Sequence, residues 1–344
     1  KRQAEALADR YASTVANVLR LAVPPRIAAL DKKYAPLLPG YESAYLGDSA
    51  PENAPESTSA SAGAKPQENA PESAESEHTA PESYTASDAS TQADPYAWLA
   101  TPGAPAPFVL DPPVLNPDAP DAASVFSDYE NGAEFIEDVA AGAATRAVMT
   151  VLPGHLEHTW ADVLATALAA AAASGRGAIA VVPTAKNLDL LEAALAERLP
   201  ADSFVRLSSD STPHTRYHGF VKARLGQVPV VIGTRAAAYA PVANLGLVVC
   251  WDDGDSSLVE QRAPYCHARD VLLLRASAEN TAALFAGFSM SSEAARLVRT
   301  RWASHVRAPR ALVRDYSPRI FSTGSEFEFC LLYTSDAADE RSSV

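Results

Sequence analysis

The sequence predicts an α/β protein in which a parallel sheet carries helices on both faces, and three observations lead there. Two short apolar runs at 228–232 and 245–251 are rich in β-branched residues and each ends in polar residues, the pattern of strands buried on both faces. From Ala147 onward such runs alternate with stretches of helical spacing, which is the order that builds a parallel sheet. Leu188, Leu191 and Leu195 fall on one face of a helix, so at least one of those connections has a core-facing stripe.

Taken in order, Leu7, Tyr11, Val15, Val18, Leu19 and Ala22 predict one amphipathic helix over 3–21, stopped by Pro24-Pro25. The composition then changes. Between Leu46 and Ala140 there are 18 Asp and Glu against the single Lys65, so a formal charge of −14 for the 344 residues hides a body of about +3. Thirteen of the 26 prolines fall in 47–130, and Glu52-Asn53-Ala54-Pro55-Glu56-Ser57 returns as Glu68-Asn69-Ala70-Pro71-Glu72-Ser73. Ordering such a stretch costs about 1–2 kcal/mol per residue with too little apolar surface to offset it, so 47–130 reads as a disordered acidic linker. Tyr96 and Trp98-Leu99 are the one candidate docking motif within it.

The body at 131–321 then reads as strand 148–152, helix 159–173, strand 178–182, helix 185–198, strand 204–207 and helix 212–225. The strands 228–232 and 245–251 follow, then a helix over 267–275, a short strand over 283–285 and a helix over 292–301. Cys250, Cys266 and Cys330 form no CxxC pair, which suits a reduced compartment. No run of about 18 apolar residues is present, so no membrane span is expected. The segment 322–344, with Cys330-Leu331-Leu332-Tyr333-Thr334-Ser335-Asp336, reads as a non-native tail derived from a sequencing adapter.

Chemistry in an open parallel sheet sits beyond the carboxyl ends of the strands. That places Gly233-Thr234-Arg235 and Asp252-Asp253-Gly254-Asp255 at a candidate site. Asp252, Asp253 and Asp255 are either a hard-cation site or a solvated acidic turn with Asp255 as a cap. Arg235 contacts phosphate or pairs with an acid of that turn, and His155 with His158 lacks a third metal ligand at a recognised spacing. Arg296, Arg299, Arg301, Arg307, Arg310 and Arg314 form a second basic feature, either a phosphate footprint or a solvated face.

Gly233-Thr234-Arg235-Ala236-Ala237, Pro241, Asn244-Leu245-Gly246-Leu247, Asp255-Ser256-Ser257 and Tyr265-Cys266-His267-Ala268-Arg269-Asp270 together resemble the first helicase lobe of the PriA family of bacterial replication-restart proteins, over roughly 148–314. The resemblance implies a RecA-like, P-loop NTPase-type lobe 1 that binds forked or branched DNA without reading sequence. It also implies docking of other primosome proteins, among them single-strand-binding protein, and a cytoplasmic, nucleoid-associated setting. Residues 1–46 are similar to the end of the family's helical N-terminal DNA-binding region. The rest of that region would lie before Lys1, and a second lobe with its zinc-binding cysteines after the present sequence.

Two departures bear on activity. A phosphate loop needs glycines, a lysine and a Ser or Thr, yet the stretch after the first strand reads Pro153-Gly154-His155-Leu156-Glu157-His158-Thr159. Where the family carries Asp-Glu-Glu-His, this chain carries Trp251-Asp252-Asp253-Gly254, similar to an actinobacterial branch without helicase activity. No catalytic residue, metal or bound ATP is therefore expected, and Thr234, Arg235, Arg299 and Arg301 are the candidate DNA contacts. A working ATP-dependent 3′-5′ helicase and a metal-dependent phosphohydrolase built on Asp252–Asp255 remain the alternatives.

Overall fold

The computed structural model describes residues 2–34, 111–153 and 158–316. Most of the acidic linker with Tyr96 and Trp98, the stretch Gly154–Glu157 and the adapter-like tail lie outside the described residues. Helix α3 (Ala28–Tyr34) belongs to a unit separate from the rest of the described residues.

The other unit is built on seven parallel strands in the order β3-β4-β2-β5-β6-β1-β7. These are β1 (Arg146–Thr150), β2 (Gly177–Val181), β3 (Phe204–Leu207), β4 (Val230–Gly233), β5 (Leu245–Trp251), β6 (Ala282–Gly287) and β7 (Ser304–Arg307). The apolar runs form the centre: every residue of β2, β4, β5 and β6 is buried. Alternation sorts their side chains between two cores. Leu247, Val249 and Trp251 point into one with helices α4 (Ala122–Phe126), α5 (Gly132–Ala140), α6 (Trp160–Ala173) and α7 (Ala185–Ala196). Val248 and Cys250 point into the other with α1 (Arg2–Arg10), α2 (Val15–Ala22), α9 (Ala268–Ala278) and α10 (Ser292–Arg299). Helix α8 (Pro213–Arg224) adds Ala223 to that second core, and α11 (Arg310–Tyr316) lays Leu312 and Tyr316 on the first.

Connections that step toward β3 run over the first face through α6 and α7. Those that step back toward β7 run over the second through α8, α9 and α10. One hand of crossover requires this division. The result is the expected α/β lobe, a parallel sheet with helices on both faces, in which the stepping direction reverses after β3.

The structure corrects several expectations. Residues 3–21 form two helices, because Ala12 takes a left-handed φ of 47° and Thr14 caps α2 by accepting a hydrogen bond from Asn17 N. Residues 111–130, assigned to the linker by composition, contain α4, and Val125, Phe126 and Tyr129 are core residues. The helix expected over 292–301 ends at Arg299. Strand β7 had no signal because only Val306 of its four residues is buried.

The α1–α2 hairpin is held to the lobe by Leu7 and Val18 in the core and by Tyr11, whose hydroxyl donates to Asp270 at 2.7 Å and accepts from His267 N at 3.2 Å. Tyr11→Phe removes both bonds and should cost about 1–3 kcal/mol locally. Amide exchange across α1 and α2 is expected to accelerate roughly tenfold or more while the sheet stays protected, which hydrogen-exchange mass spectrometry would read.

Candidate functional site

The carboxyl ends of β5, β6 and β1, three neighbours in the sheet, meet at a crevice filled by aromatic rings. Trp251, the last residue of β5, is buried and stacks on Trp160 with centroids 4.4 Å apart and planes 15° from parallel. Phe288, just after β6, meets the Trp251 ring edge-on at 5.1 Å and 88°, and its own side is half exposed. Trp160 is the first residue of α6, so the stack stands at the helix N-terminus that follows β1.

That N-terminus is occupied by its own side chains. Thr159 Oγ1 accepts from Asp162 N, and the Asp162 carboxylate accepts from Thr159 N at 2.8 Å and from its hydroxyl at 2.6 Å. Asp162 also receives the Arg198 guanidinium at 2.9 Å, and Arg198 is buried with further bonds to Thr166 and Ala194 O. Burial pushes the Asp162 carboxyl up, but the Thr159 bonds and Arg198 outweigh it and hold the group below its ordinary range. A helix N-terminus attracts anions, and here a carboxylate of the chain already sits on it. Of the degenerate loop, Pro153 and Thr159 are exposed, while Gly154 and His155 lie outside the described residues.

The acidic turn is likewise engaged. Asp253 is buried, with Arg269 Nη1 3.2 Å from its carboxylate, Ser291 Oγ donating to it at 2.7 Å, and Arg269 also reaching its carbonyl at 3.1 Å. Arg269 extends to Asp270 at 3.5 Å, so one network links the end of β5 to the starts of α9 and α10. Asp255 caps the turn Ser256–Leu258 by accepting from Ser257 N at 2.8 Å. Asp252 has φ 49°, and desolvation, then Asp255 and Asp253, raise its pKa. A β-carbon on Gly254 would make ordinary van der Waals contact with the Ser291 side chain. No group of three metal-ligating side chains occurs among the described residues. Of the three acids of the turn, Asp253 is thus engaged by Arg269 and Ser291, and Asp255 by its cap.

A groove of about 880 Å³ opens at the carboxyl ends of β3 and β4. Arg20, Arg216, Arg235 and Arg262 line it, opposed by Asp210 and Glu260. Gly233 is required there, because a β-carbon would collide with the Leu207 carbonyl oxygen. Thr234 is half buried in the wall, and the Arg235 side chain, one third exposed, pairs with Glu260 at 3.1 Å and donates to Ser257 O at 3.2 Å. Its partner is thus Glu260 and not an acid of the Asp252 turn, contrary to that expectation. Arg216 Nε is buried without a hydrogen-bond partner, and sequence reasoning passed over this residue. Arg299 and Arg301 are exposed at the opposite edge of the sheet, next to the start of β7, so the four candidate contacts do not share one surface.

No family model matches this chain. The probable replication restart protein PriA of Mycobacterium tuberculosis is 43% identical over 208 residues, covering 60% of this chain and 31% of that protein. Its counterpart in Mycobacterium leprae is 41% identical over 222 residues, covering 64% and 32%. The chain therefore spans about a third of the length of these curated relatives. Among solved structures, the Pyrococcus furiosus Hef helicase domain overlaps 54% of this chain and 40% of its own at 12% identity and TM-score 0.35. Yeast Dbp5 bound to RNA and ADP BeF3 overlaps 51% and 45% at 15% identity and TM-score 0.32.

Two outcomes are expected of the site. Asp253→Asn strands a buried guanidinium and should destabilise the lobe by about 3–5 kcal/mol; denaturant unfolding would read it, and Mg²⁺ should not stabilise the wild type. His267 caps α9 through Nδ1, which accepts from Arg269 N at 3.1 Å, and burial followed by Arg269 lowers its pKa. A histidine depressed on folding contributes fully above its unfolded value of about 6.5, and that contribution fades as pH falls toward the folded value. His267→Asn, which can still cap, should flatten the stability profile below about pH 6.5.

Proposed function

We propose that this chain, a PriA-type segment by its relation to the mycobacterial replication-restart proteins, is a nucleic-acid-binding lobe that works without hydrolysing nucleotide. The observation that carries the reading is the groove at the carboxyl ends of β3 and β4, where four arginines face two acids and a buried guanidinium nitrogen is left without a partner. An orphaned donor of that kind is stabilised by an acceptor. Phosphate oxygens match the forked donors of Arg20, Arg216, Arg235 and Arg262, which line the groove.

Such contacts position a backbone and carry no sequence information. The lobe is accordingly assigned to branched or forked DNA irrespective of sequence, within a cytoplasmic, nucleoid-associated assembly. Primosome proteins and single-strand-binding protein are its proposed partners. The neighbouring crevice supports a role without a motor: indoles fill it, and the Asp162 carboxylate stands where a triphosphate would need positive charge.

The test is binding of this chain to forked DNA across a salt series. Neutralising about four phosphates predicts a slope of log K against log salt of roughly −3 to −4. Arg216→Ala and Arg262→Ala should each reduce that slope by about 1 on any sequence. A flat salt response, or a strong preference for one sequence, would overturn the assignment.

A further inference from the structure

A second group of arginines, Arg146, Arg296, Arg299 and Arg301, gathers toward the other edge of the sheet. Helix α10 runs back from the carboxyl ends of the strands and closes with Arg301 N donating to Val298 O and Trp302 N to Leu297 O, both at 3.0 Å. This is a Schellman closure, whose left-handed position is ordinarily glycine because a β-carbon is disfavoured there. Here that position is Arg301, with φ 58° and its side chain exposed. The next residue, Trp302, presents its ring to Arg146, whose guanidinium carbon lies 4.5 Å from the ring centroid.

Arg146, Arg301, Trp302, Ser304 and His305 line a shallow depression of about 600 Å³ where β1 and β7 begin. Arg296 and Arg299, both exposed, stand on the last turn of α10 beside it. Part of that placement answers the helix dipole, which favours cations at a C-terminus. The dipole does not explain an arginine in the strained position after the helix, nor Arg146 on another strand. Glu279, on the neighbouring edge loop before β6, is already held by Arg275 at 2.8 Å.

The separation from the groove decides what this surface is for. Strands β4 and β7 are five places apart in the sheet, about 24 Å at the usual spacing, and the two surfaces lie at opposite ends of strands about 17 Å long. One short stretch of straight backbone cannot touch both, whereas two arms of a branched molecule can.

We propose that Arg146, Arg299, Arg301 and Trp302 form a second nucleic-acid-binding surface, which takes the phosphate backbone of a second arm of branched DNA while the groove holds the first. Arginine forks grip the phosphates, and the Trp302 ring supplies a flat face against sugar or base. The inference rests on the nucleic-acid reading of the groove and adds to it a reason for preferring forks.

The experiment compares a fork with one of its isolated duplex arms, using this whole chain, by fluorescence anisotropy over a salt series. The variant is Arg299→Ala with Arg301→Gly, since glycine suits the left-handed turn and removes the charge without straining the backbone; a thermal melt checks the fold. The fork is expected to lose affinity until it matches the isolated arm within about twofold, with a slope reduced by about 2, while the isolated arm is bound as before. Equal weakening on fork and arm would place these arginines on the same DNA segment as the groove and overturn the proposal. No change on either substrate would also overturn it, leaving an acidic protein surface as the partner to try. Arg216→Ala should weaken both substrates alike. If the wild type binds neither, the nucleic-acid reading itself falls, a result distinct from a variant that fails to discriminate.

Discussion

The buried pair of Asp253 and Arg269 is the constraint on which this end of the molecule depends. Strand β5 delivers Asp253 to the sheet edge, α9 delivers Arg269, and Ser291 at the cap of α10 completes the arrangement. Removing two charges from water is expensive, and only close geometry with further hydrogen bonds offsets the cost. Here the carboxylate accepts from Arg269 and Ser291, and the Asp253 backbone carbonyl accepts from Arg269 as well, so the pair fixes the relative positions of three elements. Asp270, the next residue, then anchors Tyr11 and with it the α1–α2 hairpin that borders the groove.

The same principle repeats along the edge. Asp162 is held by Arg198 and Asp253 by Arg269, so both carboxylates are engaged within the chain. Trp251 adds an apolar filling, stacked on Trp160 and closed by Phe288. In the groove, Arg235 and Glu260 pair with each other, while Arg20, Arg216 and Arg262 line its walls.

Much of the fold is legible in the sequence, for a physical reason. Strands buried on both faces must be apolar throughout, so β2, β4 and β5 announce themselves, and Thr159, Thr184 and Thr212 mark helix starts as side-chain caps. Where burial is one-sided or brief the signal fades, as in β7 and the five-residue α4. The Ser13-Thr14 cap that splits the N-terminal helix is visible in the sequence, but helical spacing continues across it and masks it. At the site, Trp251 reads as a departure from a resembled motif, yet its partners Trp160 and Phe288, 91 residues before and 37 after, carry no local mark. The Asp253–Arg269 pair and the orphaned Arg216 are equally products of tertiary placement.

The proposal that the lobe works without nucleotide turns on the crevice beyond β5, β6 and β1, where Trp160, Trp251 and Phe288 pack together. The most direct measurement is the position of the Trp160 and Trp251 indole N–H resonances, assigned by single substitutions, as Mg²⁺ and ATP are added together to millimolar concentration. The account predicts that neither resonance moves in a saturable way. Saturable shifts of both, with a dissociation constant well below about 1 mM, would mean that the stack opens to admit a triphosphate and would contradict it.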